Sequence, residues 1–344
     1  MGTSHRNKFL FLSLGLLLLF LISTLCWFLF APPCKTSSTK VVFIKKGTPL
    51  KKASEILQEE GVIKNKNFFV LLATVLGKKT KVKAGEYEFN TRMLPLEILD
   101  ALVKGQGKHH LVTIPEGYTL SQIARLLEDL NIVEKKGFLQ KASSPDFINT
   151  LGLSTSAQPT LEGYLFPDTY HFFREMDPEE VIQMMTNQFK KLFGPDLANR
   201  ASELGISQSE AVILASIIEK ETPLPEEKPL ISSVFHNRLR KKIPLQSDPT
   251  VIYGIRNFNG NLTKEDLMRP TPYNTYLIPG LPPTPICNPG KDSLLAAVHP
   301  APVPYLYFVS KNDGSHFFSS DFEEHNRAVW KYQKNSKKNG LTKR

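Results

Sequence analysis

The stretch Ser207–Glu221 most constrains the fold, because its pattern predicts a helix that is apolar almost all round. Ser207 and Glu210 have the spacing of a capping box, in which the two side chains satisfy free amides at a helix start. From Ala211 to Ile218 only one residue is polar. Such a helix needs apolar partners on every side, so the sequence predicts a core built around it. Two prolines just beyond Glu221 predict its end.

Glu219 lies near the end of this helix, where an apolar interior is expected to meet a polar cleft. Desolvation at such a place favours the protonated form of a carboxylic acid, which is what a general acid needs. A helix that simply ends in solvated charges is the alternative from the residues alone. Glu221 lies about 200° further round the helix, so the two carboxylates are not expected to share one cleft. We predict a minor structural role for Glu221.

The N-terminal region contains 23 residues without a charge, Phe9 to Ala31. This run is long enough to span a bilayer with some tilt, whereas the apolar region of a signal peptide is usually about 7–15 residues long. No small-x-small cleavage site follows it. Arg6 and Lys8 precede it, which predicts a cytoplasmic N-terminus. The sequence therefore predicts a single-pass anchor in the inner (cytoplasmic) membrane, with the remaining chain extracytoplasmic.

Positive charge is unevenly distributed along the chain. The net charge is +10, of which residues 35–108 carry +8 and residues 331–344 carry +6, while residues 109–330 carry −6. Since the basic segments are predicted to lie outside the cell, nucleic acid is not expected as a partner. Anionic lipid headgroups or acidic wall polymers fit better, with a merely solvated surface as the alternative. Cysteines and histidines lack the number and spacing of a disulfide framework or metal site, so no metal and no cofactor are expected.

An internal repeat with a period of 70 residues organises the N-terminal half. Val41–Gly47 aligns with Leu111–Gly117, and Leu50 falls on Leu120. Each copy predicts a strand, a glycine turn and an amphipathic helix. A strand, a G-x-x-L turn and a helix resemble half of a LysM-type module, the small fold that grips N-acetylglucosamine polymers. A structural spacer is the alternative.

The predicted fold class is α+β, with an N-terminal transmembrane helix, small LysM-like β-α modules and a mixed α/β catalytic domain. Helices are expected over 181–193 and 230–239, and a hairpin around Asn312-Asp313-Gly314. From residue 161 the chain is rich in Pro, Gly, Asn and Tyr, which is typical of ordered turns and cleft walls. The predicted segments are a tail (1–8), the span (9–31), a linker (32–40), a LysM-like module (41–110), a second β-α module with its connection (111–160), the catalytic domain (161–332) and a basic tail (333–344).

Six motifs follow one another in the second half of the chain. They are ASIIEKET (215–222), SVFHNRL (233–239), LQSDPTVIYG (245–254), PYNTY (272–276), GLPP (280–283) and HPAPVPYLYFV (299–309). In this order, the motifs make the chain similar over about residues 41–332 to the MltG (YceG-like) family of endolytic murein transglycosylases. One departure is His236, where the family carries an aliphatic residue.

The resemblance implies a single-pass inner-membrane enzyme that cleaves the MurNAc-β-1,4-GlcNAc bond inside glycan strands and leaves a 1,6-anhydro-MurNAc end. It also implies that Glu219 is the catalytic glutamate. In this reaction the sugar's own C6 hydroxyl attacks C1, so the second carboxylate of ordinary glycosidases is not required. Glu219 would protonate the leaving O4 and then take the proton of the C6 hydroxyl.

Polar residues of the turn-rich motifs are candidates for binding the sugar and stabilising the charged transition state. They are Asn237, Gln246, Asp248, Tyr253, Tyr273 and Asn274. For each, a hydrogen bond or packing contact that holds a loop is the alternative. If the reaction uses a second acid, three further carboxylates are candidates for it, namely Glu162, Asp168 and Glu226.

We therefore predict a membrane-anchored lytic transglycosylase, a carbon–oxygen lyase that limits strand length in nascent peptidoglycan. Glycan strands are the expected substrate, and wall synthases (penicillin-binding proteins) are candidate partners. A water-using muramidase is one alternative, and it needs a second carboxylate about 5–9.5 Å from the first. The other alternative is a glycan-binding scaffold without catalysis.

Overall fold

A computed structural model of the chain describes residues 37–334 except 106, 154, 156 and 157, together with residues 15–17, 19–20 and 23–24. The described part is an α+β structure rich in helices, as the sequence predicts, with three two-stranded sheets. The described residues form two compact units. The first comprises those up to 111 together with 171–176, and the second comprises those of 112–170 together with those from 177 onward.

The predicted membrane span, Phe9–Ala31, lies mainly outside the described residues. The residues described within it are helical. Among the described residues, no helix combines the length and the hydropathy needed to cross a membrane.

Two paired strands and three helices form the core of the first unit. Strand β1 (Thr39–Ile44) pairs antiparallel with β2 (Gly85–Asn90), with Val42 opposite Tyr87. Its helices are α1 (Leu50–Glu59), α2 (Lys66–Val75) and α3 (Pro95–Lys104). Alternate residues of the strands and one face of each helix are buried together, among them Ile44, Leu57 and Phe89. This core follows from the period-two and period-3.6 apolar patterns of the sequence.

The 70-residue repeat is confirmed as a repeated strand–turn–helix. Strand β1 and helix α1 recur as β3 (His110–Thr113) and α4 (Leu120–Asp129), and the two helices begin 70 residues apart. Gly47 and Gly117 close the two turns at φ of +81° and +73°. Because residues that carry a side chain rarely adopt this left-handed backbone conformation, the turn requires glycine.

Helices dominate the remainder of the chain. They are α5 (Lys135–Ala142), α6 (Pro145–Thr150), α7 (Pro178–Leu192), α8 (Pro195–Glu203), α9 (Gln208–Glu221), α10 (Lys228–Arg240), α11 (Asp248–Tyr253), α12 (Lys264–Leu267), α13 (Lys291–Val298) and α14 (Phe322–Val329), followed by a π-helical turn (Trp330–Lys334). The strands are β4 (Thr169–Phe172), which pairs with β3, and β5 (Tyr307–Ser310) and β6 (His316–Ser319), which pair with each other. The predicted helices over 181–193 and 230–239 and the predicted hairpin are confirmed as α7, α10 and β5–β6.

Helix α9 is the apolar rod that the sequence predicts. Its capping box is formed, since Ser207 Oγ accepts from the N–H of Glu210 over 3.2 Å and Glu210 Oε2 accepts from the N–H of Ser207 over 2.8 Å. Every residue from Ala211 to Ile218 is buried. The one polar side chain in this stretch, Ser216, donates to a carbonyl of its own helix and accepts from the N–H of Ile286 over 3.0 Å. It thereby ties the loop before α13 to the core.

Helices α10 and α13 pack beside α9. His236, where the sequence departs from the family pattern, is nearly buried on α10, and its Nε2 lies 2.8 Å from the carbonyl oxygen of Ala297 on α13. Cys287 is a free, fully buried thiol in the loop that leads into α13. The histidine therefore joins two helices, and the thiol is part of the core.

Candidate active site

The carboxylate of Glu219 lies in the last turn of α9 and is almost enclosed, with its side chain 9% exposed. Three donors reach one oxygen, Oε2. The hydroxyl of Ser293 donates over 2.5 Å and the backbone N–H of Gly290 over 3.2 Å. The ammonium of Lys228, whose side chain is 4% exposed, lies 3.2 Å away. The other oxygen, Oε1, accepts no hydrogen bond from any residue that the structure describes.

The surroundings of Glu219 are more polar than the apolar pocket that the sequence suggests. Gly290 is the N-cap of α13, and Ser293 lies in the first turn of the same helix. The positive end of a helix dipole stabilises a nearby anion. An anchored carboxylate with one free oxygen is suited to donating a proton and recovering it.

A turn from the second repeat copy packs on the Glu219 side chain. A Cβ added at Gly117 would lie 3.6 Å from Glu219 Cγ. The N–H of Gly117 donates to the carbonyl of Asn288 over 3.0 Å, and its own carbonyl accepts from Lys220 Nζ over 3.4 Å. The segment 111–160, which the sequence assigns to a separate module, therefore supplies part of this site.

Glu116, in the same turn, brings a second carboxylate to the site. Its side chain is 53% exposed, and its Oε2 lies 4.0 Å from Lys228 Nζ. A Cβ added at Gly290 would overlap this carboxylate, so the bare glycine makes room for it. Because one ammonium contacts both carboxylates, the Oε2 atoms of Glu116 and Glu219 lie no more than about 7 Å apart. Burial and then the charge of Glu219 raise the pKa of Glu116.

Sequence reasoning missed Glu116, Lys228, Gly290 and Ser293 as site residues. One signal was visible in the repeat, where Lys46 of the first copy is replaced by Glu116 in the second. A charge reversal at one position of a repeat indicates that the two copies differ in function at that position. Nothing in the sequence marks Ser293 in the same way.

Glu162, a reserve carboxylate in the sequence analysis, is buried in a separate polar cluster. Its Oε1 accepts from the N–H of Leu120 over 2.8 Å and from the Asn288 amide over 3.0 Å, and its Oε2 accepts from the Tyr253 hydroxyl over 3.1 Å. Burial raises its pKa to about 7. Asn288 Oδ1 in turn accepts from the N–H of Gly163 over 3.0 Å. This cluster fixes the loop that carries Gly290 to the neighbouring turns.

Glu221 contacts a different set of residues from Glu219. Its Oε1 accepts from the Ser247 hydroxyl over 2.5 Å, and burial raises its pKa to about 7. The charge of Asp248 raises this pKa further, whereas the charge of Arg238 lowers it. The two glutamates have no hydrogen-bond partner in common among the described residues, in line with their expected separation round the helix. The minor structural role of Glu221 stays a prediction.

Two of the predicted substrate-binding residues have amides that hold loops. The Asn237 amide donates to the carbonyls of Val303 and Tyr305 over 2.9 and 2.8 Å. The Asn274 side chain is fully buried, and its amide donates to the carbonyls of Leu267 and Arg269, over 2.9 Å in each case. These contacts match the alternative role given to such residues, and their contact with a sugar stays a prediction.

The other four candidates lie partly or fully exposed, in two pairs. Gln246 and Asp248 flank Ser247, the partner of Glu221, and Asp248 Oδ1 accepts from the Tyr276 hydroxyl over 2.7 Å. Tyr253 and Tyr273 pack edge to face, with ring centroids 4.9 Å apart, and Tyr253 reaches Glu162. No described hydrogen bond joins any of the four to Glu219.

The fold and the order of the motifs around Glu219 have a clear counterpart among known proteins. The chain belongs to the YceG-like family, whose model matches residues 42–331. Two relatives are named endolytic murein transglycosylase. The one from Bacillus subtilis is 34% identical over 88% of this chain and 88% of the relative, and the one from Streptococcus pneumoniae is 30% identical over 86% of this chain and 59% of the relative. A solved YceG-like protein from Listeria monocytogenes is 32% identical and covers 85% of this chain and 99% of the solved chain, with a TM-score of 0.57.

Proposed function

We propose that this chain is a membrane-anchored endolytic lytic transglycosylase that cleaves the MurNAc-β-1,4-GlcNAc bond of nascent peptidoglycan strands. The product would be a 1,6-anhydro-MurNAc end, and the consequence would be shorter strands. The observation that carries the proposal is the Glu219 carboxylate, which is held at one oxygen by three donors and is free at the other. The names of the relatives support the same substrate class.

The free oxygen of Glu219, Oε1, is the atom that donates the proton and later accepts one. Glu219 gives its proton to the glycosidic O4 while the C1–O4 bond breaks and its electron pair goes to O4. The C6 hydroxyl then attacks C1, forms the O6–C1 bond and returns a proton to Glu219. The two neutral donors at Oε2, Ser293 and Gly290, keep the carboxylate oriented during both steps, so that no reorientation is needed between them.

The membrane anchor and the placement of the chain outside the cell rest on the uncharged run Phe9–Ala31 and the cations before it. An anchored enzyme of this kind would act close to the wall synthases that extrude new strands, so penicillin-binding proteins are proposed as partners. Protease added to spheroplasts should digest the bulk of the chain. Recovery of a soluble protein with an N-terminus near Lys35 would show that the run is a cleaved signal.

We also propose that the first unit positions or binds glycan, as LysM-type modules do. Its order of strand, two helices and strand, with the two strands paired antiparallel, supports this role. The positive charge of residues 35–108 supports contact with an acidic polymer or with lipid headgroups.

A water-using muramidase is the second candidate function, and one observation favours it. The Oε2 atoms of Glu116 and Glu219 are at most about 7 Å apart, which is below the upper limit of about 9.5 Å for the second carboxylate of a hydrolase. In that case Glu116 would activate a water. The product would then have a reducing MurNAc end.

Mass spectrometry of the products from purified glycan strands separates these functions. We expect anhydro ends, which are lighter than reducing ends by one water. Reducing ends would identify a muramidase. Binding without any cleavage, under conditions in which the folded protein retains its secondary structure, would leave the scaffold function.

A further inference from the structure

Lys228 has two carboxylates within ion-pair distance, and only one of them is the proposed proton donor. Its ammonium lies 3.2 Å from Glu219 and 4.0 Å from Glu116, and its side chain is 4% exposed. An ammonium buried to this extent without an ionised partner costs several kcal/mol. Lys228 therefore needs an anion at every stage of the reaction.

Glu219 does not supply that anion at every stage. Under the proposed function it carries a proton when the glycan binds, and a protonated acid has no charge to offer Lys228. Glu116 is the other carboxylate in contact with Lys228 among the residues that the structure describes. It accepts no hydrogen bond within that part of the chain and is half exposed, so it is free to approach the ammonium.

We propose that Glu116 is a positioning residue that acts as the counter-ion of Lys228 while Glu219 holds its proton. The structure has the ammonium nearer to Glu219 than to Glu116, which is the arrangement that the proposal assigns to an ionised Glu219. When Glu219 gains a proton, the ammonium pairs with Glu116 instead. Glu116 then makes no bond to the sugar, and it acts on the reaction only through Lys228. This inference rests on the proposed use of Glu219 as the acid.

Several charged or titratable groups lie close to Glu219 or to Glu116 on the elements packed around the site. They are Glu116 in the turn, Lys220 on α9, Lys228 on α10, Cys287 in the preceding loop and Asp292 on α13. Lys220 donates a hydrogen bond to the carbonyl of Gly117. Burial raises the pKa of the Cys287 thiol well above its ordinary value. Asp292 is exposed and forms no ion pair with Lys228. Glu116 is thus the group in this set whose loss changes the partners of Lys228.

The direct test is the pH dependence of kcat/KM in the Glu116→Gln variant. Glutamine keeps the volume but removes the charge, so Glu219 becomes the sole anion beside Lys228 and is held in its ionised form. The alkaline limb of the profile, which reports loss of the proton from the acid, should move about one unit lower. On that limb the variant should lose about tenfold in rate. A limb that stays in place would overturn the proposal.

A second variant separates action through Lys228 from direct action on the sugar. The Lys228→Met background removes the buried ammonium and keeps a side chain of similar length. Adding Glu116→Gln there should change kcat/KM less than twofold, because the two residues are coupled. A loss that stays tenfold would mean that Glu116 acts without Lys228, by contact with the substrate or by its own charge beside Glu219, and the proposal would be wrong.

Asp292→Asn is the matched control, since it removes one nearby carboxylate charge that does not contact Lys228. Its alkaline limb should coincide with that of the unaltered protein, and an equal shift would show that any local charge suffices. If the Lys228→Met variant does not fold, the position of the alkaline limb in the single Glu116→Gln variant still tests the proposal. The end groups released by the unaltered protein test the proposed function separately, so the two failures are distinguishable.

Discussion

Replacing Glu219 with glutamine is expected to lower the rate of glycan cleavage by about 10²–10⁴-fold, the usual cost of losing acid–base catalysis. The upper end is expected, because one carboxylate is proposed to serve both proton transfers. Glutamine retains the volume and an oxygen that accepts from Ser293 and Gly290, but it cannot donate and recover a proton. Lys228 keeps Glu116 as an anion, so the variant should fold. The measurement is the release of soluble muropeptides by the purified variant.

Glu221→Gln is the matched control for this prediction. It makes the same substitution on the same helix, beside Ser247 instead of Ser293. We expect a loss below about tenfold, which corresponds to less than about 1.4 kcal/mol of barrier. Melting curves by circular dichroism would verify folding of both proteins. An inactive Glu221 variant together with an active Glu219 variant would reverse the assignment.

Glu162→Gln is expected to stabilise the protein at pH 8 and to leave it nearly unchanged at pH 4 to 5. Burial raises the pKa of Glu162 from 4.5 to about 7. Between these values the folded chain holds a proton that the unfolded chain has lost, so the free energy of unfolding falls as pH rises through this window. Above it the full loss, at most about 3 kcal/mol, is present. Glutamine imitates the protonated acid, since its oxygen can accept from Leu120 and Asn288 and its amide can donate to the Tyr253 oxygen.

Urea unfolding at several pH values between 4.5 and 8 measures this effect. The slope of stability against pH should become shallower in the variant without vanishing, because desolvation also raises the pKa of Glu221 to about 7. Glu226→Gln, which alters an exposed carboxylate, should follow the profile of the unaltered protein. A Glu162→Gln variant that is less stable than the unaltered protein at pH 8 would contradict the proposed neutral state of this group.

Local patterns in the sequence were enough to predict several elements of the described fold. The 70-residue repeat predicts helices that begin at equivalent positions, and the structure starts them at Leu50 and Leu120. The S-x-x-E spacing at Ser207 predicts the start of α9, and the Asn-Asp-Gly turn predicts the β5–β6 hairpin. These features succeed because capping, turn formation and the burial of one helix face are decided by residues within a few positions of one another.

The same kind of pattern identified Glu219 but not its partners. Lys228, Gly290 and Ser293 meet at its carboxylate from separations of 9, 71 and 74 residues along the chain. Pairings of this range depend on how helices pack, and no periodicity records them. For the polar candidates Asn237 and Asn274 the motifs are visible in the sequence, but the role of the side chains is not. In the structure their amides donate to backbone carbonyls.

By itself, therefore, the sequence determined the strand–turn–helix units, the buried helix α9 and the position of its acid, because each depends on neighbours along the chain. Only the tertiary structure decided which charges meet there. It brings Glu116 from a turn 103 residues before Glu219 to within 4.0 Å of Lys228, and it buries Glu162 among three donors from distant segments. The physical reason is that the ionisation and partners of a buried group are set by desolvation and by charges within a few ångströms, which only the folded arrangement of the chain defines.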